Sequence, residues 1–284
     1  MRTLVTGAAG MLGRDVVRAA RAAEHEVVAL ARADLDVTDA GSVERALADH
    51  RPGAVINCAA WTDVDGAEEH EADAFAVNAS GAGHVARAAT ATGASVVHVS
   101  TDYVFDGRKS APYVESDPTA PLSAYGRTKL GGEGEVAAAG GRHAIVRSSW
   151  LFGAGGPNFV ATMLDLGGER DEVRVVTDQI GCPTWTGHLA PVLVALAQGG
   201  AEGVFHVAGA GAASWNTLTV EAFQLAGVDC RVQPATTDEF PRPAPRPAYG
   251  VLGSERRDAP RLPPWQDGLA AYLAERAEAE VTLT

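Results

Sequence analysis

A tyrosine and a lysine four residues apart, Tyr125-Gly126-Arg127-Thr128-Lys129, form the pair in this sequence best suited to moving a proton. On a helix, positions i and i+4 share a face. The ammonium can then favour the phenolate and bring the phenol's pKa down toward neutrality. Lys129 is one of two lysines, with Lys109, among 23 lysines and arginines. In so arginine-biased a chain, a lysine here answers a need for a compact ammonium on a flexible stem, which a planar guanidinium does not meet. Upstream, His98-Val99-Ser100-Thr101-Asp102-Tyr103 closes an apolar run with two hydroxyls. The plainer alternative is a solvated helix face that carries the Tyr and Lys by chance.

Such groups need elements to hold them. Short apolar runs at 3–6, 26–30, 54–58, 95–100 and 143–147 read as strands, bounded by Gly, Pro or polar residues. Between them, 11–23, 40–50, 66–92 (broken or long) and 124–139 read as helices. This alternation predicts an α/β fold, a parallel sheet covered by helices on both faces, with ligands beyond the C-terminal strand ends. After Trp150 glycines and prolines become frequent. Strand-like pieces follow at 173–177, 204–207 and 231–235, with helices at 187–198, 216–226 and 265–277. The expected division is a cofactor domain over 1–150, with a later return at about 185–207, and a smaller, less regular domain over 151–284. The proline-rich stretch from Pro241 to Pro247 must be an extended loop.

Gly7-Ala8-Ala9-Gly10-Met11-Leu12-Gly13 lies at the first strand-to-helix turn. Its glycines suit a tight turn, close backbone approach to a pyrophosphate and close helix–sheet packing, with phosphate at the helix N-terminus. The second strand runs out at Leu30-Ala31-Arg32. An acid there would hold the ribose diol of NAD, whereas an Arg favours the 2′-phosphate of NADP. The expected cofactor is NADPH, with NADH tolerated, and Asp34 and Asp36 within reach of the ribose or adenine.

The bulk numbers narrow the partners. The formal charge is −13, which argues against nucleic acid and anionic membranes, so an anionic ligand needs a local cluster of donors. Cys58, Cys182 and Cys230 are scattered and lack metal-ligand spacing, which fits a reduced cytoplasm. The eight histidines include no His-x-x-x-His pair, and no metal site is expected from them. The N-terminus reaches Gly7 too soon for a signal peptide, and no apolar run is long enough to span a bilayer.

A strand ending in hydroxyls followed by Tyr-x-x-x-Lys resembles the short-chain dehydrogenases/reductases over the whole chain. Ser100-Thr101-Asp102-Tyr103-Val104-Phe105-Asp106-Gly107, the run from Asn57 to Asp65, and Arg147-Ser148-Ser149-Trp150 narrow the resemblance. With the run from Asp178 to Thr184 and Arg246-Pro247, the chain resembles the dTDP-4-dehydrorhamnose reductase family, extended members that reduce the C4 ketone of a nucleotide sugar. The resemblance implies a Rossmann-type doubly wound parallel sheet with a substrate domain, in a monomer or homodimer. It implies that Tyr125 protonates the C4 alkoxide, Lys129 binds the nicotinamide ribose, and Thr101 bonds the ketone oxygen. Gly7, Gly10, Met11, Leu12 and Gly13 would line the pyrophosphate, Arg32, Asp36 and Val37 the adenosine side, and Ala59, Ala60 and Thr62 the middle of the cofactor. Thr101, Asp102, Tyr103, Trp150, Asn158 and Arg246 would meet the substrate, with Arg246 on its diphosphate. Where the family commonly has a Ser three residues after the loop proline, this chain has Gly250. The resemblance also admits Mg²⁺ at a dimer contact among Glu275, Glu278 and Glu280, which by themselves read as a solvated acidic helix end.

Two other function classes stay open beside a rhamnose-type reductase. One is a 4-ketoreductase for another nucleotide deoxysugar. The other is a non-catalytic NADP-binding regulatory subunit, like the methionine adenosyltransferase beta subunit. A 4,6-dehydratase is disfavoured, because Thr101-Asp102-Tyr103 lacks the extra acid that such enzymes carry at this strand end.

Overall fold

The computed structural model describes residues 1–282. Val- and Leu-rich segments form β1 (Arg2–Thr6), β2 (Glu26–Leu30), β3 (Ala54–Asn57), β4 (Ser95–Thr101) and β5 (His143–Ser148). The helices α1 (Met11–Ala22), α2 (Ala40–His50), α3 (Gly66–Glu69), α4 (Glu71–Phe75), α5 (Ala82–Thr92) and α6 (Ala124–Ala138) connect them. The expected long helix is thus broken, and a π-helical turn at Ala76–Gly81 separates α4 from α5.

The later chain forms β6 (Leu151–Phe152), α7 (Phe159–Glu169), β7 (Glu172–Val176), β8 (Ile180–Gly181), β9 (Thr184–Trp185), α8 (Thr186–Gly199), β10 (Gly203–His206), β11 (Ala213–Ser214), α9 (Trp215–Ala226), β12 (Arg231–Ala235) and α10 (Trp265–Thr282). Six strands make one sheet in the order β10-β5-β4-β3-β1-β2, every neighbouring pair parallel. The order turns back at β1, which opens a crevice beyond the C-terminal ends of β1 and β3.

Both faces of the sheet are covered, so its central strands bury apolar residues on both sides rather than alternating, with His98 and Arg147 among the buried polar exceptions. On one face α1 and α8 pack on Val5, Ile56, Val97 and Val146. On the other, α2, α5 and α6 cover Leu4, Val55, Val96 and Ile145. Leu4 and Ile56 are fully buried, and cutting either to Ala costs roughly 2–5 kcal/mol. α8 and β10 therefore belong to the large sheet although they come late in the chain.

A second core gathers Phe152, Met163, Val173, Leu218, Phe223, Trp265 and Leu269 from α7, α9, α10 and three two-stranded sheets. The chain after the proline-rich loop returns between the two parts, bridging Tyr249 to Ile180 and Leu252 to Tyr113. No helix among the described residues is long and apolar enough to cross a membrane.

Candidate active site

The first wall of the crevice is backbone. Gly7 has φ +62°, and a Cβ there would lie 2.8 Å from Ala59 N and from Cys58 C. A Cβ on Gly13 would lie 2.1 Å from Gly7 O. The turn after β1 thus packs directly on the segment after β3, with no room for side chains. Gly10, the N-cap of α1, offers no capping side chain, which leaves first-turn N–H groups for an anion.

The resulting cleft of about 240 Å³ is lined by Gly7, Ala9, Gly10, Arg32, Leu35, Asp36, Val37, Cys58, Ala59, Ala60, Trp61 and Val77. Met11 is half-buried at the start of α1, with Leu12 and Gly13 buried behind it. Thr62 is exposed and lies outside that lining. Asp36 accepts from the Thr38 N–H and hydroxyl, which hold it below the usual carboxylate range. Arg32 is exposed at the rim, opposite an ionised Asp36. A cradle that any Cβ would fill, a helix N-terminus and a cation at the far end fit a dinucleotide with an extra phosphate.

The second wall carries the titratable groups. Thr101 ends β4, in register with Ser148 of β5. Ser123 caps α6 by accepting from Gly126 N–H at 3.2 Å, which fixes Tyr125 and Lys129 on the helix side that faces β4. Tyr125 lies near enough to the Thr101 hydroxyl for it to favour the phenolate, and meets the Tyr103 ring edge-on, with centroids 5.5 Å apart. Burial pushes its phenol up to about 12, with the Thr101 hydroxyl pulling the other way. Lys129 is buried, and that burial lowers it to about 8.

The expectation that Lys129 lowers the Tyr125 pKa is not met in this geometry. Its Nζ donates instead to Val99 O at 2.7 Å, and desolvation dominates the phenol. Tyr125 is therefore a neutral hydroxyl at pH 7, the form that donates a proton.

On the remaining side the residues separate. Tyr103 is half-buried, whereas Asp102 is only 2% exposed, its carboxyl turned inward to accept from the Thr101 hydroxyl at 3.1 Å. Trp150 has φ +48°, which costs a non-glycine residue roughly 1–2 kcal/mol. Its indole stacks on Trp215 with centroids 3.4 Å apart and covers Gly181, where a Cβ would lie 2.4 Å from the ring.

Asn158 is buried and fully engaged in holding the loop before α7. It accepts from Ala161 N–H and donates to Gly153 O and Gly156 O. Arg246 is locked bidentately to Asp65, at 2.6 and 2.8 Å, and also donates to Ala244 O at 2.6 Å. The Arg246 guanidinium in turn holds the Asp65 carboxyl below its usual range.

The acids of α10 do not fit Mg²⁺. The Arg18 guanidinium already bridges Glu275 and Asp15, at 2.5 and 2.8 Å, where a cation would sit. Glu278 is exposed, and the Glu280 side chain lies outside the described residues. Among the described residues no group of three or more His, Cys, Asp or Glu is arranged to hold a metal.

Several supporting residues escape sequence reading. Asn78, on the π-helical turn, accepts from Trp61 N–H and donates to Trp61 O and Thr128 Oγ1, tying the loop after β3 to α6. Glu133 and Arg147 form a buried bidentate pair under Ser100. The only sequence signal for Asn78 is a polar residue within an apolar helical run. Asp65 and Arg246 are 181 positions apart, and no local pattern joins them.

Comparisons with known proteins place this fold among reductases. The family described as RmlD substrate binding domain matches residues 1–278. The chain is 47% identical over 279 residues to a dTDP-4-dehydrorhamnose reductase of Streptomyces griseus, covering 95% of this chain and 91% of that protein. It is also 47% identical over 274 residues to a probable dTDP-4,6-dihydroxy-2-methyloxan-3-one 4-ketoreductase of Streptomyces antibioticus, covering 95% and 93%. A solved dTDP-4-dehydrorhamnose reductase from Bacillus anthracis, in complex with NADP, superposes with a TM-score of 0.94 at 36% identity. It covers 96% of this chain and 99% of that one.

Proposed function

This chain belongs to the dTDP-4-dehydrorhamnose reductase family, and we propose that it reduces the C4 ketone of a dTDP-4-keto-6-deoxy sugar with NADPH, forming dTDP-L-rhamnose from dTDP-4-dehydrorhamnose. As such it is an oxidoreductase of nucleotide-sugar keto groups. The observation that carries the reading is Tyr125, held at the start of α6 edge-on to Tyr103 beside the strand end that carries Thr101, next to a glycine cradle for a dinucleotide. Residues 1–150, with the return at about 185–207, would bind the cofactor, and 151–284 mainly the sugar.

A reduced nicotinamide bound in the crevice supplies the hydride. Tyr125 gives its hydroxyl proton to the C4 oxygen, which Thr101 helps to orient. Lys129, protonated below about 8, keeps positive charge beside the phenolate that is left. Gly7, Gly10, Met11, Leu12 and Gly13 hold the pyrophosphate, and Ala59, Ala60 and Thr62 the middle of the cofactor. Arg32, Asp36 and Val37 take the adenosine end, where Arg32 favours the 2′-phosphate.

Trp150, fixed by its stack on Trp215, offers an apolar face to the sugar's methyl group. Arg246 clamps the diphosphate, already aimed by Asp65, and so turns the proline-rich loop into a substrate loop.

A second reading is supported by the equal identity to a 4-ketoreductase named for another sugar and by Gly250 in the substrate loop. It keeps the chemistry and changes the substrate. The test is turnover across a panel of 4-keto-6-deoxy nucleotide sugars, with the C4 configuration of each product read by NMR. Best turnover with dTDP-4-dehydrorhamnose and the L-rhamno product supports the first reading. A different best substrate or the opposite C4 configuration supports the second, and cofactor binding without turnover of any sugar defeats both.

A further inference from the structure

Asn158 is 8% exposed and spends its amide on the loop that joins β6 to α7. Its Nδ2 donates to Gly153 O at 3.0 Å and to Gly156 O at 3.3 Å, with a longer contact of 3.4 Å to the Tyr272 hydroxyl on α10. Its Oδ1 accepts from Ala161 N–H at 3.0 Å and so caps α7. A side chain engaged in this way has no donor left to offer a sugar.

The loop that Asn158 fastens lies against the first turn of α1. A Cβ on Gly156 would lie 3.0 Å from Met11 Cβ and 3.6 Å from Met11 N, the first backbone donor of that helix. Gly155, at φ +83°, rests on the Arg14 stem, where a Cβ would lie 2.9 Å from Arg14 Cδ. Arg14 Nε donates in turn to Ala9 O, at 2.9 Å, inside the glycine turn after β1. The direction of approach decides which half of a dinucleotide the loop meets. In the sheet, β2 lies on one side of β1, and β3, β4 and β5 lie on the other. Arg32, at the adenosine end, follows β2, whereas the loop follows β5 and β6. A phosphate on Met11 N–H would therefore have this loop beside it on the nicotinamide side.

We propose that residues 153–157 form a roof over the cofactor's pyrophosphate, and that Asn158 is the positioning residue that holds the roof in place. Asn158 then sets affinity for the cofactor rather than for the sugar. This rests on the NADPH reading proposed above, and it gives the chain after residue 150 a share in cofactor binding. The second core anchors the roof through Tyr272, whose ring packs edge-on against Phe152 with centroids 5.6 Å apart. Bulk at position 156 would push the loop off Met11, which is why the roof needs glycine there.

The test uses Asn158→Ser, which keeps an oxygen for Ala161 N–H, so that α7 stays capped, and removes the donors to the loop. Fluorescence titration of the full chain should give a Kd for NADPH raised about tenfold. The Kd for adenosine 2′,5′-bisphosphate, which ends at the first phosphate, should stay within about twofold. At saturating NADPH, the KM for a 4-keto-6-deoxy nucleotide sugar should also stay within about twofold. Gly156→Val, which crowds Met11 and leaves Asn158 intact, should give the same pattern. A raised sugar KM with an unchanged Kd for NADPH returns Asn158 to the sugar and overturns the proposal. Equal losses for NADPH and the bisphosphate, or no loss at all, overturn it as well. If the wild type binds NADPH but turns over no 4-keto sugar, the proposed reduction falls, and the two titrations still decide the roof.

Discussion

Removing the Arg147 guanidinium while keeping its stem tests the platform under the strand end that carries Thr101. Arg147 Nε and Nη2 donate to the two Glu133 oxygens at 2.9 and 2.7 Å, with side chains 5% and 6% exposed. Ser100 Oγ adds a third bond to Glu133 at 2.5 Å. In Arg147→Met the carboxylate stays buried with only the Ser100 bond and the nearby Lys129 charge to answer it, and breaking such a pair costs roughly 3–5 kcal/mol. Unfolding entropy for 284 residues is about 0.6 kcal/mol per degree, so the melting temperature should fall by about 5–8 °C.

The double variant Arg147→Met with Glu133→Leu should recover most of the loss, because the buried charge is gone and the space is filled. Urea unfolding at pH 7 and thermal scans of wild type, both single variants and the double variant make the cycle. A single variant within about 1 kcal/mol of wild type, or a double variant no better than the worse single, refutes this account of the pair.

Gly7→Ala forces a side chain into a left-handed turn and against Ala59 N at 2.8 Å, so cofactor affinity should drop by about tenfold or more in a fluorescence titration. Arg32→Ala should raise the KM for NADPH about tenfold and leave that for NADH unchanged, as read from initial rates. Lys129 is charged below about 8, so the reductive rate should decline as pH rises through that value, and the pH profile of Lys129→Met should lack this limb.

Asp102 links stability to pH. Its folded pKa of about 7 lies above the unfolded value near 3.9, so the fold holds the extra proton between them and stability falls as pH rises through that window. The loss, about 4 kcal/mol at full ionisation, should be missing from Asp102→Asn in urea unfolding at a series of pH values.

Local patterns explain what could be read beforehand. The sheet strands were legible because strands buried on both faces carry short apolar runs without alternation, as residues 54–56 and 96–97 do. The glycine turn was legible from its place between β1 and α1, and Tyr125 with Lys129 from one helical turn of spacing.

Other features depend on pairings across the chain. Residues 204–207 are expected to return to the cofactor domain with 185–207, but the strand they pair with is not legible in the sequence: β10 docks beside β5 because Phe205 and Val207 complete the core against α8. The Asp65–Arg246 lock, the stack of Trp150 on Trp215 and the inward turn of Asp102 arise only when loops from both parts meet. Sequence spacing put Lys129 near Tyr125 but carried no measure of burial, so it misjudged which effect governs the phenol.

The most direct test of the central claim follows absorbance of the reduced cofactor with freshly made dTDP-4-keto-6-deoxy sugar, in wild type and Tyr125→Phe. The account predicts one cofactor oxidised per ketone in the wild type. In the variant it predicts normal cofactor binding with turnover about 100-fold lower or worse. Near-wild-type turnover in Tyr125→Phe, or wild-type binding of both ligands without oxidation, would contradict it.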